Sequence, residues 1–179
     1  SAMGQDIEDL NNDGLADVFE LDMDPEDNYR KKMFLPSNSY QTYKNFDRFG
    51  YQLQYNRNTL QINQGPRLGQ NDSVGAPVFS ETSFLSGLAQ TDWSWCPLIT
   101  DFDNDGLRDV IITNGYPRDV TDHDFQTFRA EAYLVAPKKD ILDQIPRIKI
   151  SNYAFKNDGD LKFTDVSQSW GLTIPTFSN

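Results

Sequence analysis

Nine residues, Asp9-Leu-Asn11-Asn-Asp13-Gly14-Leu-Ala-Asp17, return 92 positions later (101 minus 9) as Asp101-Phe-Asp103-Asn-Asp105-Gly106-Leu-Arg-Asp109. A D-x-[DN]-x-D-G-x-x-D pattern repeated in register commits the chain to two sharp, oxygen-rich turns and to an internal repeat. Side chains at the first, third and fifth positions converge on one point only if the backbone bends tightly. Gly14 and Gly106 permit that bend, because glycine adopts positive φ without steric cost. Calcium takes six to eight oxygens at about 2.3–2.6 Å in a tolerant geometry. Asp9, Asn11, Asp13 and Asp17 in one loop, and Asp101, Asp103, Asp105 and Asp109 in the other, supply such donors. The carbonyls of Leu15 and Leu107 are the expected additional ligands. No His or Cys accompanies either loop, which makes zinc and copper poor fits, and magnesium usually retains more water than the cage leaves room for. Ca²⁺ is therefore the expected cofactor.

The flanks separate loop families. An EF-hand needs a bidentate Glu at its twelfth position and helices on both sides. Glu20 satisfies the count in the first copy, but Ile112 stands there in the second. Both exits, Val18-Phe-Glu-Leu21 and Val110-Ile-Ile-Thr113, have the character of strands. Each loop is thus expected to feed a β-strand, with Glu20 a coincidence.

Repetition extends beyond the loops. Phe79-Ser-Glu-Thr-Ser83 matches Phe163-Thr-Asp-Val-Ser167, and Gly87-Leu88 matches Gly171-Leu172 at the same offset. Asn58-Thr-Leu-Gln-Ile-Asn63 matches Asn152-Tyr-Ala-Phe-Lys-Asn157. Ser1-Ala-Met3, Trp93-Ser-Trp95 and Phe177-Ser-Asn179 fill one slot of the repeat, the first two just ahead of an acidic loop. Two units follow: 1–92 with an insert at about 25–55, and 93–179 with an insert at about 117–150, expected to be part of a longer array.

Aromatic-Ser-x, a short strand, D-x-D-x-D-G-x-x-D, a β-branched strand, then F-x-[DE]-x-[ST] and Gly-Leu is an order that resembles FG-GAP/VCBS repeats. More narrowly, DIEDLNNDGLADVFELDMDPEDNYRKKM, TDWSWCPLITDFDNDGLRDVIITNGYPRDVTDHDF and NYAFKNDGDLKFTDVSQSWGL look like bacterial surface proteins of the ASPIC/UnbV type, related to cartilage acidic protein. The resemblance covers most of the chain except the insert middles near 34–55 and 126–149. It implies a mainly β chain with helical inserts, forming two blades of a calcium-binding β-propeller, with the eight loop residues as ligands and no catalytic activity. It further implies an extracellular, outer-membrane-associated setting. Asn11 stands where the family usually has Asp, so the first loop carries one negative charge fewer and is expected to bind more weakly.

Composition excludes several partners. A net charge of −11 and the lack of a basic patch disfavour nucleic acid and anionic membranes. No run approaches the roughly 20 apolar residues of a membrane span, and no stretch of these residues is expected to be a signal peptide. Cys96 is unpaired for want of a second cysteine and is expected to be buried in its aromatic, apolar segment.

The inserts differ from each other. The first is expected to open with a short helix at Asp27-Asn-Tyr-Arg-Lys-Lys-Met33, broken later by Pro36 and Gly50. The second opens with a capping-box-like Thr121-Asp-His-Asp124, followed by Phe125, Phe128, Ala132 and Tyr133 at helical spacing. A helix at about 122–135, ended by Pro137, is expected, with another turn from Asp140 to Ile145. On a rim the inserts carry function; packed on each other or on a neighbouring blade they are scaffold. His123 between Asp122 and Asp124 belongs to a helix first turn, where acidic residues complement the dipole. Trp93 and Trp95 are assigned to the core ahead of sugar stacking. Asn157-Asp-Gly-Asp160 lacks the cage order and is expected to be a hairpin turn, with Asn114-Gly115 another. The leading functional reading is a non-catalytic, calcium-stabilised segment that binds a protein or glycan at the cell surface, with the remaining blades as further partners. A scaffold part of a carbohydrate-active enzyme and an EF-hand/dockerin-like adhesion module are the alternatives.

Overall fold

The strands begin where the acidic loops end. The computed structural model of the chain describes residues 2–34, 40–52, 55–69 and 73–178. Pro36, Ser1 and Asn179 of the sequence reading lie outside these residues. Asp17–Leu21 (β2) leaves the first loop and Asp109–Asn114 (β7) leaves the second. In β2, Asp17, Phe19 and Leu21 point inward at the two-residue period of a pleated strand. Gly4–Glu8 (β1) and Asp92–Thr100 (β6) enter the loops, so each loop joins two antiparallel neighbours.

The protein is mainly β, with two antiparallel sheets and a few helices. The first sheet orders β1-β2-β4-β5, where β4 is Thr59–Leu68 and β5 is Val74–Glu81. The second orders β3-β6-β7-β8-β9, with β3 Met23–Asp24, β8 Tyr153–Asn157 and β9 Phe163–Asp165. Apart from β3, the strands of each sheet follow one another along the chain. One apolar cluster joins the sheets: Phe19, Leu21, Leu60 and Ile62 from the first meet Ile99, Val110, Ile112 and Phe155 from the second. β1 runs so close to β6 that a Cβ on Gly4 would lie 2.0 Å from the carbonyl oxygen of Trp95. The backbone amide of Ile99 donates to Asp6 across the same seam at 3.0 Å.

Turn chemistry repeats with the sequence. Gly87 (φ 78°) and Gly171 (φ 76°) hold the same left-handed turn. The amides of Leu88 and Leu172 donate to the carbonyls of Ser83 and Ser167 at 2.9 and 2.8 Å. Asn58 accepts from the amide of Asp22 at 3.0 Å, and Asn152 from that of Asn114 at 2.8 Å. The Asp158-Gly159 turn between β8 and β9 is the expected hairpin, with Gly159 at φ 82° and Asp158 N–H bonded to Lys162.

Two expectations change. Cys96 is exposed, because a bulge shifts the β6–β7 register between Ser94 and Cys96, and a one-residue slip moves a side chain to the other face. Gly115 forms no hairpin. It leaves β7 at φ 134° against the C-terminal segment, where an added Cβ would lie 2.7 Å from the carbonyl oxygen of Thr176.

The inserts supply the longer helices. Asn28–Met33 (α1) is capped by Asp27, which accepts the Arg30 amide at 2.8 Å, and Tyr40–Phe49 (α2) follows, ending at Gly50 (φ 70°). Ser83–Ser86 (α3) is the short turn before Gly87. His123–Ala132 (α4) is capped by Asp122 rather than Thr121, and ends before the expected residue 135. Pro137 instead precedes Lys138–Asp143 (α5). Phe125, Ala132, Ile141 and Ile145 form a separate small core, while Phe128 and Tyr133 face solvent. No described helix is long and apolar enough to cross a membrane.

The bases of the inserts are tied together. Arg30 donates through Nε and Nη2 to Asp92 at 2.6 and 3.0 Å, and through Nη1 to Asp119 at 2.7 Å. Burial opposes the guanidinium charge, but the two carboxylates outweigh it and raise the Arg30 pKa. Phe34 bridges Asp122 and meets Trp93 edge-on, and Trp93 stacks on Tyr116 at 4.8 Å. Trp93 is thus a core residue, and Trp95 is half-buried with its indole N–H on the Gly115 carbonyl at 2.6 Å. Arg30→Ala would leave Asp92 and Asp119 buried without a counter-ion and is expected to cost about 3–5 kcal/mol. Lys31→Ala, which removes an exposed pair with Asp24, is expected to cost under about 1 kcal/mol. Urea unfolding midpoints of the two variants check the contrast, and equal losses would show that Arg30 is no clamp.

Candidate metal centre

The two acidic loops share one hydrogen-bonding scheme. Asp9 accepts the amides of Asp13 at 3.1 Å and Gly14 at 2.9 Å, and Asp101 accepts those of Asp105 and Gly106 at the same two distances. Asn11 and Asp103 each accept the amide two residues on at 3.2 Å. Asp13 and Asp105 accept the amides of Leu15 and Leu107 at 2.8 and 2.9 Å. Local carboxylate-to-amide bonds of this kind favour tight turns over helix or ladder. Asn12 and Asn104 adopt φ of 58° and 60°, and Gly14 and Gly106 follow at 84° and 92°. The bend is thus held by two successive left-handed turns.

The ninth residue of each loop is its anchor. Asp17 and Asp109 are both fully buried. Asp17 accepts the amides of Leu10 at 2.9 Å and Asn63 at 2.8 Å. Asp109 accepts those of Phe102 at 3.0 Å and Asn157 at 2.9 Å. Each carboxylate therefore ties the start of its loop to the strand that neighbours its own in the sheet, β4 for Asp17 and β8 for Asp109. Burial raises the Asp17 pKa; the two amides oppose it, and the nearby Asp13 and Asp9 charges add to the rise. Glu20 lies in β2, opposite Gln5 and Thr59, as a strand residue.

Oxygens of Asp101, Asp103 and Asp109 lie within 4.8 Å of one another. Two ligands of one calcium ion can be separated by at most about 5.2 Å, twice the longest calcium–oxygen distance, so the spacing of these three is within that limit. Asp105 faces a different cation: Lys156, on β8, donates to Asp105 at 2.7 Å and also to Asp103. That ammonium holds the Asp105 carboxyl below its usual range, and its bonds to Asp103 and to Asp105 raise the Lys156 pKa. In the first loop Asn11 donates to Asp13 at 2.9 Å. Lys156 sits one residue before Asn157, the position that Ile62 occupies before Asn63.

The loops also touch each other. Asn12 donates to the Gly106 carbonyl at 2.9 Å, and Arg108 to the Asp9 carbonyl at 2.8 Å. Arg108 pairs with Glu8 at 3.2 Å as well. Asn157 donates to Leu10 of the first loop at 2.9 Å and to Arg108 of the second at 3.0 Å. The sequence reading named eight acidic-loop residues but missed Lys156 and Asn157, which reach the loops from β8, and Arg108, which lies at an unassigned position of the second loop and reaches the first. No family model, curated protein or solved structure matches the chain.

Asn157 is 2 % exposed and its side chain serves both loops, whereas among the described residues the Asn63 side-chain amide donates to Ala16 of the first loop. Asn157→Ala, leaving two carbonyls unpaired, is expected to cost about 3 kcal/mol, against about 1 kcal/mol for Asn63→Ala. Denaturant unfolding of the two variants measures the difference; equal costs would remove Asn157 from its bridging role.

Proposed function

We propose that the chain is a non-catalytic, calcium-binding β-propeller segment of the FG-GAP/VCBS type, of a secreted or cell-surface protein, whose inserts meet a protein or glycan partner. The observation that carries the reading is the shared set of loop bonds in two loops 92 residues apart (101 minus 9), each at the join of two antiparallel strands, the second of which gathers Asp101, Asp103 and Asp109. Strands on both sides of each loop favour this family over a helix-flanked EF-hand or dockerin. Asp9, Asn11, Asp13, Asp17 and the Leu15 carbonyl would hold one ion, and Asp101, Asp103, Asp105, Asp109 and the Leu107 carbonyl the other.

Calcium would act there as a staple. Several carboxylates held within a few ångströms repel one another and oppose the loop geometry. A divalent ion removes that repulsion and stabilises the folded state through mass action. Extracellular calcium modules commonly have Kd near 10⁻⁴ to 10⁻³ M. A thermal melt in millimolar calcium, in chelator and in magnesium tests the reading. A calcium-specific rise in Tm, absent at the second loop in Asp105→Ala, is the expected result; an unchanged melt in saturating calcium would sink it.

Lys156 supports a qualified second reading, in which the second loop is neutralised from within. Counting formal charges, the first loop has three carboxylates, and the second has four less one ammonium, again three negative charges. The weaker first site expected from Asn11 is thereby offset. Lys156→Met is expected to tighten calcium at the second loop about two- to fivefold, the scale of an exposed ion pair. Calorimetric titration measures it, and unchanged affinity would show that the ammonium does not compete.

A further inference from the structure

The second insert and the C-terminal segment enclose a cleft of about 300 Å³ lined by Pro117, Arg118, Arg147, Lys149 and Phe177. In a chain of net charge −11, this lining holds three cations and no carboxylate. Arg30, Lys31, Arg57, Arg108 and Lys156 each lie within ion-pair distance of an acidic side chain. Among the described residues no such pair involves Arg118, Arg147 or Lys149. Cations gathered without a counter-charge repel, and an anion placed among them relieves the repulsion.

Part of the cleft is held in place. Arg118 donates through Nη1 to the Leu142 carbonyl at 2.8 Å, which orients the guanidinium while its remaining donors stay available. Phe177 is held by its neighbours: Ser178 N–H bonds to Asn114 at 3.1 Å and Thr176 N–H to Ile150 at 3.4 Å. Gly115 makes room for that segment, since an added Cβ would lie 2.9 Å from the Phe177 Cα. Beside the three cations the lining adds a proline ring and a half-exposed phenyl ring.

We propose that this cleft binds the carboxylate-bearing sugar of an acidic saccharide, a hexuronate. The volume lies at the small end of ligand sites, where a few polar groups fix orientation against apolar walls. A guanidinium matches a carboxylate through two parallel N–H···O bonds, and lysine adds a point charge. The phenyl and prolyl surfaces suit the C–H face of a pyranose ring. The inference rests on reading the inserts as the ligand-facing surface, and it does not require metal in the acidic loops.

Calorimetric titration of the full chain with trigalacturonate, in calcium and in chelator, tests it, with neutral galactotriose and inorganic sulfate as controls. Expected are binding of the uronate that weakens as salt rises, no binding of galactotriose, a loss of more than tenfold in Arg147→Glu/Lys149→Glu, and a severalfold loss in Phe177→Ala. Arg147→Gln/Lys149→Gln serves if the charge reversal loses its cooperative melt. No heat from trigalacturonate with cooperatively folding protein overturns the proposal, as does equal binding of galactotriose. Sulfate binding as tightly as the uronate, with Phe177→Ala unaffected, means an adventitious ion only and overturns it too. A melt indifferent to calcium counts against the staple alone, so the two readings fail separately.

Discussion

Two buried carboxylates carry the join between loop and sheet. An ionised carboxyl taken from water is costly unless hydrogen-bond donors replace the lost solvation. Asp17 and Asp109 obtain two backbone amides each, one from their own loop and one from a strand further on. The same pairs of bonds set how each loop stands on its sheet, and hence where the other loop carboxylates meet. Burial still raises the Asp17 pKa against the pull of those two amides.

The repeat is faithful where backbone geometry demands it and free elsewhere. The loop bonds, the Asn58 and Asn152 acceptors and the Gly87 and Gly171 turns recur almost unchanged. One residue before the conserved join, however, a fully buried Ile62 in the first copy becomes a partly exposed Lys156 in the second. A lysine can bury its methylene stem and still bring its ammonium to the surface. The second loop thereby gains a charge partner from a neighbouring strand, and the first keeps an apolar support.

Sequence patterns revealed what local chemistry decides. The loops, the strands that leave them, the short helix after Asp27 and the Asp158-Gly159 hairpin all depend on residues within a few positions of one another, whereas the second insert's helix is capped at Asp122, one residue after the expected Thr121. Contacts across the chain were hidden. Arg30 meets Asp92 and Asp119 across separations of 62 and 89 residues, and Lys156 meets Asp103 across 53. Nothing in the local pattern distinguishes these cations from solvated ones. Cys96 was misread because a single bulge reverses which face a residue occupies, and bulges leave little trace in apolar periodicity.

The two-residue β3 is a small element with a large topological effect. It comes from the first half of the chain but pairs with β6, setting Met23 opposite Trp93 and Asp24 opposite Asp92. A cut at the 92/93 boundary would therefore release no pair of finished halves. The downstream piece would carry an unpaired β6 edge and an Asp119 stripped of Arg30, and the upstream piece a Leu10 carbonyl without Asn157. The halves are alike in design yet stitched to one another, so the repeat boundary read along the sequence is not a seam along which the molecule comes apart.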